Sequence, residues 1–264
     1  MTNAIASLSL EDVKRGAKRE NFRAGVQMRL FMPRLSVRVT RWVLAWTRFT
    51  PNQITIASLA LGLCAVAAFA STVPLVVALG LFGYHLHVLL DYVDGEVARC
   101  RGLESVRGAY FDLMTDRLTF PLFVFGSACG AYRALGDPTL LVAGFAAAFG
   151  ILLDKEACDC WYRANAGVPD LEDRYMAAPE RRPLRRWLGW CALALVMSRG
   201  LSAFLAYITA AAFLDAARLA APLGAASYRA LVVWIFAAVM PLGALARFFY
   251  IYFRGSIPRR QQLL

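Results

Sequence analysis

Long apolar stretches recur along this chain, and short polar or charged connections separate them. Each stretch is long enough for a helix to cross a hydrocarbon core about 30 Å thick, which takes about 20 residues. The pattern therefore predicts an all-α integral membrane protein built as a six-transmembrane-helix bundle. The predicted spans are 53–71, 74–98, 107–132, 138–162, 187–213 and 229–253.

The first 49 residues differ from the rest because they are polar and basic, with ten Lys/Arg and three acidic residues. Within them, residues 25–48 mix bulky apolar side chains with arginines, interrupted near Pro33. This mixture favours an N-terminal amphipathic juxtamembrane helix that lies among the lipid headgroups. A soluble arm that binds a partner is the alternative. We therefore divide the chain into a cytoplasmic leader, residues 1–49, and a membrane domain, residues 50–264.

Basic residues are distributed unevenly between the two sides of the predicted bundle. The leader, the connections 99–107 and 163–186, and the tail 254–264 together carry 22 Lys/Arg residues, whereas the connections on the opposite side carry 2. Short loops rich in Lys and Arg stay on the cytoplasmic side of a membrane. Both termini are therefore predicted to face the cytoplasm, and we expect the protein in a bacterial plasma membrane.

The composition agrees with a membrane protein. Of the 264 residues, 59% are hydrophobic, and the mean hydropathy is +0.51. The net charge of +11 could indicate nucleic acid as a partner. However, no nucleic-acid motif or basic patch interleaved with aromatic residues accompanies it. The six cysteines are scattered, mostly within apolar stretches, so we expect buried thiols rather than a disulfide framework.

Four aspartates lie at the facing ends of the second and third predicted spans. Asp91 and Asp94 are three residues apart, and Asp112 and Asp116 are four apart, so each pair lies on one face of its own helix. Carboxylates near lipid are costly, and four together repel one another. Hard oxygen ligands in this number indicate one or two Mg²⁺, Mn²⁺ or Ca²⁺ ions. The pattern favours a membrane metalloenzyme that handles phosphates, and carboxylates neutralised by arginines are the structural alternative.

The segment from Asp91 to Asp116 reads D-x2-D-G-x2-A-R-x8-G-x3-D-x3-D, and it resembles the signature of the CDP-alcohol phosphotransferase family. Its specified positions are Asp91, Asp94, Gly95, Ala98, Arg99, Gly108, Asp112 and Asp116. The stretch T-P-N-Q-I-T, from Thr50 to Thr55, is similar to the P-N-x-x-T element that opens the first transmembrane helix in that family.

The resemblance implies a transferase of phospholipid or related phosphodiester biosynthesis. It would move a substituted phosphate group from a CDP-alcohol, such as CDP-diacylglycerol, to an acceptor alcohol and release CMP. By the resemblance, Mg²⁺ or Mn²⁺, as two ions, would be held by Asp91, Asp94, Asp112 and Asp116, and Asp116 would also take the proton of the acceptor hydroxyl. The resemblance further implies a homodimer among membrane lipids. The distribution of Lys and Arg predicts that the active site faces the cytoplasm.

By the same resemblance, five positions contact the cytidine diphosphate part of the donor: Asn52, Thr55, Gly95, Arg99 and Ser105. The guanidinium fork of Arg99 suits phosphate oxygens, and an ion pair or an interface anchor is the alternative. Gly95 and Gly108 leave room for a nucleotide or for close helix packing. Asn52 can instead belong to the turn that enters the first span, and Ser105 can be an ordinary loop residue.

Cations within the predicted spans bear on the acceptor, because an unpaired charge in a membrane is expensive. There are four that we single out: Arg117, Lys155, Arg199 and Arg247. Asp154 and Glu156 can pair with neighbouring helices, which would leave Lys155 and Arg199 to bind an anionic acceptor. We therefore favour a phosphate-bearing acceptor, such as glycerol phosphate or inositol phosphate. Purely structural ion pairs are the alternative.

Two other functions stay open. A cation transporter could line its path with aspartates, but the glycines, alanine and arginine at fixed offsets would then have no explanation. A catalytically silent family member could act as a membrane partner subunit. That function is disfavoured because every position of the signature is present.

Overall fold

The structure, a computed structural model, describes residues 32–164, 201–217 and 227–254. All regular secondary structure in these ranges is helical, which confirms the predicted all-α class for the described part of the chain. The helices, in chain order, are α1 Met32–Trp46, α2 Pro51–Phe69, α3 Pro74–Arg101, α4 Val106–Leu135, α5 Thr139–Ala164, α6 Leu201–Ala216 and α7 Ser227–Arg254.

Four stretches of the described helices are long and apolar enough to cross a membrane: Pro51–Phe69, Pro74–Arg101, Val106–Leu135 and Tyr228–Phe249. In α6, the apolar part Phe204–Ala216 is shorter. The fourth predicted span forms α5, whose second half is rich in charged residues, and α5 is not among the four. The fold therefore fits an integral membrane protein with four candidate spans, and the count of six stays a prediction.

Local signals in the sequence explain where the helices around the aspartates begin and end. Thr50 opens α2, where its hydroxyl accepts from Gln53 N at 3.4 Å and Gln53 Oε1 accepts from Thr50 N at 2.9 Å. Gly102 ends α3 in the left-handed conformation, with φ of 62°, which glycine adopts at no steric cost. Ser105 then opens α4 by accepting from Gly108 N at 3.0 Å. This short turn brings the end of α3 beside the start of α4.

The core of the bundle is aromatic and lies where α2, α3, α4, α6 and α7 meet. Tyr84 of α3 stacks on Phe123 of α4 with ring centroids 3.8 Å apart. Phe69 lies 4.8 Å from Phe123, and Phe204 lies 4.8 Å from Phe236, again between ring centroids. All five side chains are fully buried. Such rings hold the helices in fixed register because each one fills a specific gap between its neighbours.

Helices α5 and α7 approach each other closely because a glycine faces a proline. A Cβ atom added at Gly150 would lie 2.5 Å from the backbone nitrogen of Pro241 in α7. Such a distance is far below van der Waals contact, so only glycine fits there. This contact holds the middle of α5 close to the middle of α7.

Helix α1 packs one face against α3 and leaves the other exposed. Val37, Val43 and Leu44 are buried with Val93 and Val97 of α3. The outer face is exposed and carries arginines and tryptophans: Arg34, Arg38, Arg41, Trp42 and Trp46. Residues 25–31 of the predicted amphipathic helix lie outside the described residues, and its position among lipid headgroups stays a prediction.

A buried ion pair fixes the start of α7 at the end of the bundle away from the aspartates. Asp215 of α6 accepts from Tyr228 N at 3.1 Å and from Arg229 N at 3.2 Å. The Arg229 Nε atom also lies 3.4 Å from the same carboxylate. Asp215 therefore satisfies two amide groups that a helix start leaves without partners within the helix.

Candidate metal and substrate site

Three carboxylates meet where the end of α3 faces the start of α4. One ligand oxygen from each of Asp91, Asp94 and Asp112 lies within 4.8 Å of the others. Asp94 is buried, and the other two are partly buried. The helical spacing of the motif and the short turn at Gly102 together produce this arrangement, which joins three of the four predicted aspartates.

The surroundings of this cluster fit a divalent cation. The Thr55 hydroxyl donates to Asp94 Oδ2 at 2.5 Å, which orients that carboxylate. Asp91 Oδ1 is buried without a hydrogen-bond partner in the described part of the chain. A buried oxygen of this kind is costly unless something compensates it. The cluster consists of hard anionic oxygens, which Mg²⁺ and Mn²⁺ prefer as ligands. Such an ion would offset the repulsion between the carboxylates and would give Asp91 Oδ1 a partner.

Asp116 lies outside the group of three and faces a different neighbour. Its Oδ2 atom lies 3.9 Å from the Lys155 Nζ atom of α5, and 45% of its side chain is exposed. Its negative charge is still close enough to repel the carboxylate of Asp91. Asp116 therefore borders the carboxylate cluster while it stays accessible, and its predicted role as a metal ligand stays a prediction.

Three of the five predicted nucleotide-binding residues lie at the start of α2 and the start of α4. Thr55 is buried against Asp94, whereas Asn52 and Ser105 are exposed. A Cβ atom added at Gly108 would lie 3.1 Å from Ser105 Oγ and 3.5 Å from Asn52 Oδ1. Asn52 and Ser105 thus both lie close to Gly108, where a larger side chain would meet them.

The other two, Gly95 and Arg99, lie on the last turns of α3. A Cβ atom added at Gly95 would lie 3.2 Å from Nη1 of Arg99, so the guanidinium group folds back over the glycine. The missing side chain at Gly95 therefore leaves room for the Arg99 guanidinium group at this position.

A cavity of about 190 Å³ adjoins Asp116 between α4, α5 and α7. It is lined by Leu113 and six charged residues: Asp116, Arg117, Asp154, Lys155, Asp159 and Arg247. Three of these carry positive charge and three carry negative charge. A cavity with this lining suits a polar or charged ligand that can form ion pairs with these side chains.

The cations of this cavity lie next to carboxylates. Arg117 bonds Asp159, and the Arg247 Nε atom lies 2.9 Å from Asp154 Oδ1. The pairing of Asp154 with a neighbouring helix agrees with the expectation from sequence. Lys155, which was expected to bind an acceptor, lies beside Asp116, and its role toward an acceptor stays a prediction. Arg199, the other predicted acceptor residue, lies outside the described residues.

Asp159 was not predicted to belong to the site. Arg117 and Arg247 were predicted only as cations within the membrane spans. The available signal was complementary charge, because an apolar span retains such residues where they meet a partner. Which pairs form depends on how α4, α5 and α7 are rotated against each other, and the contact between Gly150 and Pro241 sets part of that rotation.

Beneath the carboxylates, a buried histidine joins three helices. His87 Nδ1 lies 2.8 Å from Ser58 Oγ on α2, and His87 Nε2 lies 3.2 Å from Thr119 Oγ1 on α4. A Cβ atom added at Gly62 would lie 3.1 Å from the imidazole, so this glycine makes room for it. His87 lies one turn before Asp91, and it links the helices that carry the two halves of the motif.

Comparison with known proteins agrees with this geometry. Residues 48–166 match the family model described as CDP-alcohol phosphatidyltransferase. The resemblance stated from the motif is therefore confirmed. The matched segment begins after α1 and includes α2 to α5, with all four aspartates.

Two curated proteins are similar to the chain, and each is named Bifunctional IPC transferase and DIPP synthase. The protein from Thermococcus kodakarensis is 30% identical over 120 residues, which cover 46% of this chain and 26% of that protein. The protein from Rubrobacter xylanophilus is 34% identical over 123 residues, which cover 47% of this chain and 27% of that protein. The chain thus spans about a quarter of the length of the curated relatives it matches.

Proposed function

We propose that this protein transfers a substituted phosphate group from a CDP-alcohol to an acceptor alcohol and releases CMP. The observation that carries the proposal is the convergence of Asp91, Asp94 and Asp112 within the segment that matches the family. A cation transporter would need carboxylates alone. It would leave the fixed glycines, alanine and arginine of the motif, and the cavity beside Asp116, without a role.

Mg²⁺ or Mn²⁺ is the proposed cofactor, as two ions held by the four aspartates. Asp91, Asp94 and Asp112 supply the geometric core of this site. When bound, the ions would neutralise the pyrophosphate of the donor and the charge that develops as CMP leaves. The Thr55 hydroxyl donates to Asp94 Oδ2 and so holds this carboxylate in place.

Asp116 is the proposed general base. An acceptor hydroxyl must reach the base directly, and nearly half of the Asp116 side chain is exposed toward the cavity side of the site. Lys155 of α5 lies beside this carboxylate, with Nζ 3.9 Å from Asp116 Oδ2. The proposed base borders the carboxylate cluster, so an acceptor hydroxyl at Asp116 would lie close to a donor phosphate held beside that cluster.

The donor nucleotide is proposed to lie over the starts of α2 and α4 and the end of α3. Exposed Asn52 and Ser105 offer polar groups to the cytidine and ribose, and Arg99 offers its fork to phosphate oxygens. Gly95 and Gly108 carry no side chains that would obstruct this surface. Thr55 contributes through Asp94 because its hydroxyl is buried and already engaged.

The acceptor is proposed to bind in the charged cavity, and we favour one that bears phosphate, such as glycerol phosphate or inositol phosphate. Lys155 lies at the boundary between Asp116 and the cavity. Its ammonium group would supply positive charge to the phosphate of an acceptor that binds in the cavity. Arg199 remains a proposed acceptor residue.

The proposed setting is a bacterial plasma membrane, with the site at the cytoplasmic face, where soluble nucleotides and sugar phosphates are available. A homodimer is proposed from the family resemblance. The product would be a phospholipid or a related phosphodiester, according to whether the CDP-alcohol is a lipid or a soluble compound.

The proposal is tested by assaying CMP release from the purified protein in lipid or detergent. CDP-diacylglycerol and a soluble CDP-alcohol serve as donors, each against glycerol phosphate, inositol phosphate, free inositol, serine, choline and ethanolamine. We expect one donor class to give CMP with a phosphate-bearing acceptor. Turnover only with uncharged or cationic alcohols would refute the acceptor assignment, and no CMP from any pair would refute the transferase.

A further inference from the structure

Glu96 lies inside the aspartate motif but at a position that the motif leaves unspecified. Its side chain is 5% exposed, and it faces α1 rather than the metal cluster. Ser36 Oγ donates to Glu96 Oε1 at 2.6 Å, and Thr40 Oγ1 donates to Glu96 Oε2 at 2.6 Å. Ser36 and Thr40 are themselves fully buried. A buried carboxyl group thus receives a hydroxyl donor from α1 at each of its two oxygens.

The spacing of these residues makes the contact specific. Ser36 and Thr40 are four residues apart, so they lie on the same face of α1, one turn above the other. A carboxyl group buried without partners would be strongly unfavourable, whereas two hydroxyl donors satisfy it. We call these three residues, Glu96, Ser36 and Thr40, the α1 clamp.

The α1 clamp acts on the same turn of α3 that carries Asp94. Successive helical residues turn by about 100°, so Glu96 and Asp94 point to nearly opposite sides of α3. Thr55 of α2 holds Asp94 on one side, and α1 holds Glu96 on the other. This turn is therefore fixed from two directions.

A second contact links the end of α1 to the helices that carry the aspartates. Arg101, at the end of α3, donates to Thr47 O at 2.9 Å and to Phe49 O at 2.6 Å. These carbonyls belong to the short connection from α1 to α2. The connection continues into the helix that carries Thr55, so docking of α1 also sets where α2 begins.

We propose that Glu96 is a positioning residue: through Ser36 and Thr40 it fastens α1 to α3 and so sets the geometry of the metal-binding aspartates. This inference rests on the proposed function, because it assigns the aspartates to metal. It extends the functional unit to α1, which precedes the segment matched by the family.

Variants of matched shape test the clamp. Ser36→Ala with Thr40→Val removes both hydroxyls and keeps the volume of Thr40 nearly unchanged, whereas Thr40→Ser keeps its hydroxyl. Glu96→Gln leaves a side chain of the same size whose amide nitrogen cannot accept. Glu104→Gln, at an exposed loop position, is the control. If the double variant does not fold, Ser36→Ala and Thr40→Val are measured separately.

Two readouts are compared, and neither depends on turnover. Hydrogen exchange of residues 34–46 in the metal-free protein reports docking of α1. Mn²⁺ affinity, measured by electron paramagnetic resonance, reports the aspartate geometry. We expect Glu96→Gln and the hydroxyl-deletion variants to accelerate α1 exchange and to weaken Mn²⁺ binding by about 10-fold, the lower end for residues that orient metal ligands. Thr40→Ser and Glu104→Gln should match the parent protein.

Unchanged hydrogen exchange of α1 in the hydroxyl-deletion variants would show that the α1 clamp does not dock α1. Faster α1 exchange with unaltered Mn²⁺ affinity would overturn the positioning role and leave Glu96 as a tether only. These results are distinct from failure of the proposed function. That failure would appear as absence of CMP release from every donor, even though Mn²⁺ binding still responds to the clamp.

Discussion

The four aspartates of the motif have different surroundings, and we expect them to have different functional roles. Asp94 is buried and held by Thr55, and Asp91 has a buried oxygen without a hydrogen-bond partner in the described part of the chain. Asp112 completes their cluster from α4. Asp116 is more exposed and lies beside Lys155 at the cavity. Charge-neutralising substitutions should therefore separate binding from catalysis.

Asp116→Asn is expected to lower turnover by about 10²–10⁴-fold, the usual contribution of a general base. The affinity for the CDP-alcohol should change little, because Asp116 lies outside the cluster of three. Steady-state kinetics for turnover and equilibrium binding of a CDP-alcohol measure the two quantities. Asp94→Asn is the comparison, and it should weaken donor binding together with turnover. Near-normal turnover by Asp116→Asn would show that another group is the general base.

Lys155→Gln is expected to raise the KM for a phosphate-bearing acceptor by about 10-fold or more, because a charge-assisted hydrogen bond is lost. The affinity for the CDP-alcohol should stay close to that of the parent. Initial rates at varied acceptor concentration measure this. Arg133→Gln is a suitable control, because Arg133 is exposed at the opposite end of the bundle, where it donates to Ala70 O. The same KM in both variants would leave Lys155 as a structural partner of Asp116.

At the scale of helices, the contact between α5 and α7 determines which charges meet in the cavity. Gly150→Ala would place a methyl group 2.5 Å from Pro241 N. The helices must then separate, and we expect the free energy of unfolding to fall by about 1–3 kcal/mol, as for other overpacked sites. Thermal unfolding in detergent, followed by circular dichroism, measures this loss.

Gly83→Ala is the matched control for that substitution. Gly83 is also buried in a helix, but an added Cβ atom would lie 3.5 Å from Ala65 Cβ, an ordinary contact. Alanine also favours helix over glycine, so this variant should be neutral or slightly stabilising. Equal stability of both variants would show that the close approach of α5 and α7 is not a packing constraint.

The helices around the motif were predictable because their signals are local. Apolar length, the cap at Thr50 and the breaker at Gly102 place α2, α3 and α4 close to the predicted spans. Periodicity also predicted that Asp91 and Asp94 share a face. The pairs Arg117 with Asp159 and Arg247 with Asp154 were not predictable, since they depend on the rotation of three helices. The contact of Lys155 with Asp116 was not predictable for the same reason. The α1 clamp also could not be predicted, because it joins residues 56 and 60 positions apart.

At the scale of the whole molecule, the chemistry is concentrated at one end of the bundle. The carboxylate cluster, the charged cavity and the docked α1 lie at the end where α3 meets α4. At the other end, Asp215 and Arg229 form a buried pair that anchors α7. This polarity agrees with the uneven distribution of Lys and Arg in the sequence, which predicts that the site faces the cytoplasm.

Labelling of single cysteines in intact cells tests this orientation. Thiol reagents that do not cross membranes should reach residues 135 and 220 from outside. Residues 10, 175 and 260 should react only after the cells are opened. A cysteine-free parent is the background. Labelling of residue 175 from outside would contradict the orientation and would place the aspartates on the opposite face.

The central claim is that the aspartate cluster holds divalent metal for transfer from a CDP-alcohol. It is tested most directly by measuring CMP release after removal of metal with EDTA. We expect release to cease without metal, to return with Mg²⁺ or Mn²⁺, and to stay absent with either ion in Asp91→Asn or Asp112→Asn. Full CMP release in metal-free buffer, or parent-like release by these two variants, would contradict the account.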